Sequence, residues 1–245
     1  MKEALGYFLA VTAAELITAV GQPVLGIFAH IIILMALILR SALAGRQPQQ
    51  QLLLSLALVP LVRIISLSMP LANIPQAWWY PVIYTPLLVA GVVVIRILNF
   101  SAGDVGVTFR LLPLQLVVAL SGLIFGVAEY LILKPETMIA ELTWQGIWLP
   151  AVILLVTTGF VEEFIFRGVL QRTALEAFGG RGIVYVSLLF AVLHMGFLSW
   201  IAVAFVFVVA LFFGWIVKKT GSLLVVTLAH GITNIILFLV APFFF

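Results

Sequence analysis

The sequence predicts an all-α fold, a polytopic transmembrane bundle of eight or nine helical spans, on three observations. Apolar residues fill 64% of the 245 positions and only 9% are charged, against roughly 45–50% and about 25% in soluble domains. The apolar residues fall into runs near the ~20 residues an α-helix needs to cross hydrocarbon, broken at Pro, Gly and charged clusters. The Arg and Lys residues sit at the ends of those runs, where topology requires them.

Taken in order, the first span, 4–20, begins after Lys2 and Glu3, and no convincing small-residue cleavage pattern follows it, so it is read as retained. Spans 23–40 and 52–69 are parted by Arg40 and Arg46, and 79–97 follows Pro70 and Pro75. Trp78, Trp79 and Tyr80 open that fourth span as an interfacial aromatic anchor. Span 113–133 lies between Arg110 and Lys134; 147–176, 183–197, 199–217 and 221–241 follow, punctuated by Arg172, Arg181, Lys218 and Lys219. With Lys2 in the cytoplasm, nine spans put every basic loop inside and leave only Lys134 outside. The absence of an Arg- and Ser-rich transit segment favours a prokaryotic plasma membrane.

The net charge of +3 comes from helix ends and not from a basic stripe, so no nucleic-acid partner is expected. There is no cysteine, which excludes disulfides, thiolate metal sites and a cysteine nucleophile. No second soluble domain, heptad run or internal repeat is visible. The chain reads as one integrated membrane domain, with N-terminal helices over 1–140 and a chemistry-bearing part over 141–245. Gly122 and Gly126 form a small-xxx-small pair, read as a close helix contact.

Chemistry gathers late in the chain. Glu162 and Glu163 lie inside the apolar run 149–170, and two of the three histidines, His194 and His230, lie in later runs. Ionisable groups in hydrocarbon cost several kcal/mol and are a functional site by default. Helical rise places Glu163 about 14 Å from Arg172, His194 about 20 Å from Arg181 and His230 about 17 Å from Lys219. The three therefore share one band of the bilayer. Glu163 and Arg167 are four apart and can pair, while Glu162 points elsewhere and can face a cavity. His230 and Asn234 are also four apart, an imidazole and a carboxamide able to donate to an oxyanion. Phe190 stands one turn before His194. For peptide hydrolysis, Glu162 is the expected base, aided by His194, with Glu163 and Arg167 as electrostatic support and His230 with Asn234 at the oxyanion.

The segments Glu162-Glu163-Phe164-Ile165-Phe166-Arg167, Phe190-Ala191-Val192-Leu193-His194 and His230-Gly231-Ile232-Thr233-Asn234 resemble the three motifs of the CAAX-type prenyl-endopeptidase and bacteriocin-processing (Abi) family of intramembrane proteases. The resemblance covers roughly 145–240. It implies a helical core, endopeptidase activity, water activated by Glu162 and His194, and an oxyanion site at His230 and Asn234. Members of the family have been described both as metalloproteases and as metal-free glutamate proteases. The chain lacks HExxH, so a metal-free site is favoured, with zinc on Glu162, His194 and His230 as the alternative. The expected substrate is a membrane peptide or lipidated protein, prenylated or leader-type, cut in the cytoplasmic half of the bilayer.

Two other classes compete. A transporter or proton-linked carrier also uses intramembrane Glu and His, although the paired repeats of many transporters are missing. A non-catalytic immunity or scaffold protein would keep the helices for binding alone. Outside the motifs, Arg63 and Glu129 are expected to pair and fix helix order, and His30 to be a satisfied interior residue. Phe205, Phe207, Phe212 and Phe213 are expected to face lipid or packing surfaces.

Overall fold

A computed structural model describes residues 2–45, 47–108 and 112–245. Arg46 and Arg110, used above to orient the loops, lie outside the described residues. The elements are α1 (Lys2–Ala19), α2 (Pro23–Leu43), α3 (Gln47–Leu56), α4 (Leu58–Ser68), α5 (Gln76–Ile97), α6 (Leu112–Leu133), α7 (Trp144–Leu154), α8 (Gln171–Phe178), α9 (Arg181–Val192), α10 (Trp200–Thr220) and α11 (Leu224–Ile235). No strand occurs among the described residues. The chain is an integral membrane protein, with large apolar side chains such as Leu9, Phe28, Ile32, Ile124 and Ile201 exposed along its helices, a surface matched to lipid and not to water.

Among the described residues, seven helices are long and apolar enough to cross a membrane, against the nine spans read from the sequence. The two others are apolar but different in kind. The helix α1 carries Lys2, Glu3 and a buried Glu15, and Arg181–Phe197 is the shorter one. The expected third span is present as Gln47–Ser68, with a break between α3 and α4 at Ala57. Pro60 lies just beyond the break and has no N–H to give to the carbonyl of Leu56.

The sixth span departs most from expectation. It runs from Trp144 to Phe178, but between α7 and α8 it is a π-helix over Leu155–Glu162 and again over Phe164–Leu170. There each N–H reaches back five residues instead of four. Every residue from Phe164 to Leu170 is buried, as befits a helix packed on all sides. This central helix lies against α11, and α11 in turn packs along α6.

Small residues permit those contacts. A Cβ on Gly159 would stand 2.9 Å from the Thr227 carbonyl oxygen and 3.0 Å from Gly231 Cα, so central helix and α11 meet backbone to backbone. A Cβ on Gly126 would stand 2.7 Å from the Thr233 carbonyl oxygen, and one on Gly122 would collide with that of Ala229. The small-xxx-small pair is thus the seat of α11 on α6.

Polar ends of the bundle gather together. Glu3 accepts from Arg40 Nε at 2.9 Å and from Gln49 Nε2 at 2.6 Å, Tyr185 donates to the Ala4 carbonyl, and Arg172 lies 3.4 Å from Asp104. In the loop before α6, the Ser101 hydroxyl and N–H donate to Asp104 and hold its carboxyl below the usual range. The Leu223 N–H, at the start of α11, donates to the Gly106 carbonyl at 2.7 Å in the same region.

Gly126→Leu is expected to lower the thermal midpoint in detergent by the equivalent of about 1–3 kcal/mol, the cost of overpacking a filled contact. Gly6→Ala, where a Cβ meets nothing within 4 Å, leaves the midpoint unchanged in the same thermal scan.

Candidate active site

Where the central helix, the end of α9 and α11 converge, they enclose a cavity of about 200 Å³. The six residues singled out from the sequence, Glu162, Glu163, Arg167, His194, His230 and Asn234, all line it. Tyr80 and Tyr84 from α5 and Glu129 from α6 complete the polar wall, and Phe190, Phe205, Phe213 and Leu237 supply apolar surface.

Glu163 is the fixed point of this arrangement. Its side chain is fully buried, and its Oε1 accepts from Arg167 Nη1 at 3.0 Å and from His230 Nδ1 at 2.7 Å. Arg167 is held again by the Phe190 ring, 4.3 Å beneath the guanidinium carbon, a cation–π contact that matters most where water is excluded. The expected Glu163–Arg167 pair therefore exists, although the helix carrying it is not an α-helix.

Glu162 is placed differently. Its side chain is 14% exposed, into the cavity, with Oε2 3.7 Å from His230 Nε2. The Tyr84 hydroxyl donates to its Oε1, and Tyr84 is itself stacked on Tyr80, one turn earlier in α5. One carboxylate is thus locked in the wall while its neighbour faces the space.

The imidazoles are oriented by their backbone and carboxylate partners. His194 Nδ1 lies 2.8 Å from the Phe190 carbonyl oxygen. A carbonyl only accepts, so Nδ1 carries the hydrogen and a neutral His194 keeps a lone pair on Nε2. Phe190 and Phe197 flank the ring, with centroids at 4.7 and 5.6 Å. Asn234 makes no side-chain hydrogen bond among the described residues and lines the cavity one turn beyond His230.

Two expectations are corrected. Arg63 pairs not with Glu129 but with Glu15, its Nε 2.6 Å from Oε1, because α4 and α1 approach each other through α2 while α6 lies across the bundle on α11. His30 is buried beside that pair, its Nε2 3.0 Å from the same Glu15 oxygen, yet neither ring nitrogen is in hydrogen-bonding geometry. Tyr80, Phe205 and Phe213 also line the cavity, the two phenylalanines packed against Phe125. Tyr84 and Glu129 are the site residues that sequence reasoning missed. Tyr84 had one legible signal, its four-residue spacing from Tyr80.

No three His, Asp or Glu side chains among the described residues are placed to hold a metal ion.

A chamber inside an apolar helical bundle, roomy enough for several waters and with a carboxylate and an imidazole lone pair at its wall, has the groups that proton-transfer chemistry uses. Residues 143–236 match the family described as Type II CAAX prenyl endopeptidase Rce1-like, the family that the three motifs resemble. The match runs from Thr143, which caps α7, to just beyond Asn234; α1 to α6 lie outside it. No curated protein and no solved structure matches the chain significantly.

Arg167→Ala leaves the buried Glu163 carboxylate without its cation and is expected to destabilise the protein by about 3–5 kcal/mol, the cost of breaking a buried pair from one side. The readout is the thermal midpoint in detergent. Arg167→Lys, which keeps a charge but loses the planar fork, falls between the two.

Proposed function

We propose that this cavity hydrolyses a peptide bond in a membrane-associated substrate by a metal-free, glutamate-based mechanism. A water held between the open oxygen of Glu162 and Nε2 of His194 attacks the scissile carbonyl carbon and gives its proton to Glu162. As the tetrahedral intermediate collapses, that proton passes to the leaving amine. The oxyanion is met by the Asn234 carboxamide and by His230. To donate from Nε2 while Nδ1 bonds Glu163, His230 carries both protons, and the Glu163 carboxylate balances the charge. Arg167 holds Glu163 for that purpose. The observation that supports this reading is the split between the glutamates: Glu163 is consumed by two donors, and Glu162 is left open to the cavity that His194 also lines, 3.7 Å from His230 Nε2.

The substrate in this reading is a peptide of the membrane, prenylated or leader-type. The basic helix ends belong on the cytoplasmic side with the N-terminus, and the bond is cut from that half of the bilayer.

Purified protein in detergent is expected to cleave a fluorogenic prenyl-peptide, with Glu162→Gln and His194→Ala at background although folded by thermal scan. Full turnover in Glu162→Gln ends the assignment. Asn234→Ala is expected to lower kcat about 10²–10³-fold with KM little changed, as for loss of one oxyanion donor.

The metal-free part is checked separately. Turnover is expected to be the same in a strong chelator as without it, and one zinc per chain by elemental analysis, with activity lost in chelator and regained on adding zinc, would overturn that part alone.

A further inference from the structure

A second cavity, of about 480 Å³, lies on the far side of the same catalytic groups. It shares Tyr80, Tyr84, Glu162, Phe190, His194 and Phe197 with the first, and then runs between α4 and α5. Beyond those shared groups its lining is mostly apolar, with Val62, Ile83, Ile165 and Leu193, and it holds a single basic side chain, Arg63.

Arg63 is built into place. Its Nε donates to Glu15 at 2.6 Å, and Glu15 is fully buried, with His30 3.0 Å from the same oxygen. That anchor uses one of the five donors of a guanidinium. No other hydrogen bond of the Arg63 side chain forms among the described residues, and that side chain is 15% exposed at the cavity wall. Arg167 differs: it is 1% exposed and closed off by Glu163 and Phe190. A guanidinium held by one edge, with donors left over in a space largely shielded from water, is a receptor for a planar anion, and a carboxylate matches its fork. The cavity wall includes Glu162 and His194, so a peptide whose scissile bond meets those groups can extend one arm along it.

We propose that Arg63 is a specificity-determining residue that binds a carboxylate carried by the bound peptide, with Glu15 holding the guanidinium in place. The inference rests on the hydrolytic reading above. Two carboxylates are available to a peptide, its free C-terminus and an acidic side chain, and both have the chemistry Arg63 fits. Because Arg63 stands away from the reacting bond, its contribution falls on KM more than on kcat.

Three fluorogenic peptides of one sequence test this in detergent: a free C-terminal acid, its C-terminal amide, and the amide with one aspartate on the same side of the scissile bond. The unmodified protein is expected to cleave the acid with kcat/KM about 10- to 100-fold above the plain amide, the effect of one charge-assisted hydrogen bond. Preference for the free acid alone assigns the terminal carboxylate, and equal recovery with the aspartyl amide assigns the side chain. Arg63→Gln is expected to abolish the preference by raising KM for the acid to that for the amide. Arg63→Lys, which preserves a cation beside Glu15, retains part of it. Equal kcat/KM for all three peptides on the unmodified protein, or an Arg63→Gln variant that slows all three by one factor, overturns the proposal and leaves the hydrolytic reading standing. No cleavage of any peptide overturns the hydrolytic reading, and this inference with it.

Discussion

The structure depends on one buried carboxylate. Glu163 sits at full burial inside a hydrocarbon-embedded bundle, where an uncompensated charge is untenable, and a single oxygen receives Arg167 from its own helix and His230 from α11. Those two bonds do different things. The first neutralises the charge locally; the second fixes the rotation of α11 about its axis, because His230 reaches Glu163 from only one orientation. Glycine packing makes that orientation attainable. Gly159 lets the central helix touch α11 at the backbone, and Gly122 and Gly126 do the same for α6 on the other side. Electrostatics and close packing therefore select the same register, and neither suffices alone: the ion network without the glycines has no room, and the glycines without the network leave α11 free to turn.

How the site was legible in the sequence, and where it was not, follows from the same physics. Glu162, Glu163, His194 and His230 stood out because polar groups inside apolar runs are costly enough to need a reason, and helical rise alone put them at one depth. Tyr84 and Glu129 carried weaker signals. A tyrosine among aromatic and proline residues near a span end reads as an interfacial anchor, and a lone intramembrane glutamate reads as half of an ion pair. Choosing the partner of Arg63 required knowing that α4 borders α2 and that α1 packs on α2 as well, with α6 across the bundle. Long-range adjacency of this kind leaves no trace in spacing. The π-helical stretch was hidden for a related reason: a segment buried on every side from Phe164 to Leu170 has no polar face, and hence no periodicity from which its pitch could be read.

That hidden pitch bears on the chemistry. In the π-helical stretch the turn is wider, and adjacent residues are separated by a smaller angle than in an α-helix. Glu162 and Glu163 are thus less divergent than α-helical geometry implies, which is how one reaches the cavity and the other the wall behind it while both approach His230, at 3.7 and 2.7 Å from its two nitrogens.

Two arginines lie at membrane depth, and their contrast argues for a directional site. Arg167 is enclosed, and its charge is absorbed by the glutamate that orients His230. Arg63 is tethered by one edge and open on the other, across Glu162 and His194 from the chamber that contains Asn234. In the mechanism proposed above, a site with the groups assigned to the oxyanion on one side and a cation on the other is not symmetric to a peptide passing through it. In the binding mode proposed above, reversing the chain would carry the anionic end away from Arg63 and into the chamber whose own guanidinium, Arg167, is already paired with Glu163. In that binding mode polarity is set by the one guanidinium edge that stays open, and it arises from Glu15 on α1 and Arg63 on α4, which lie outside the matched segment.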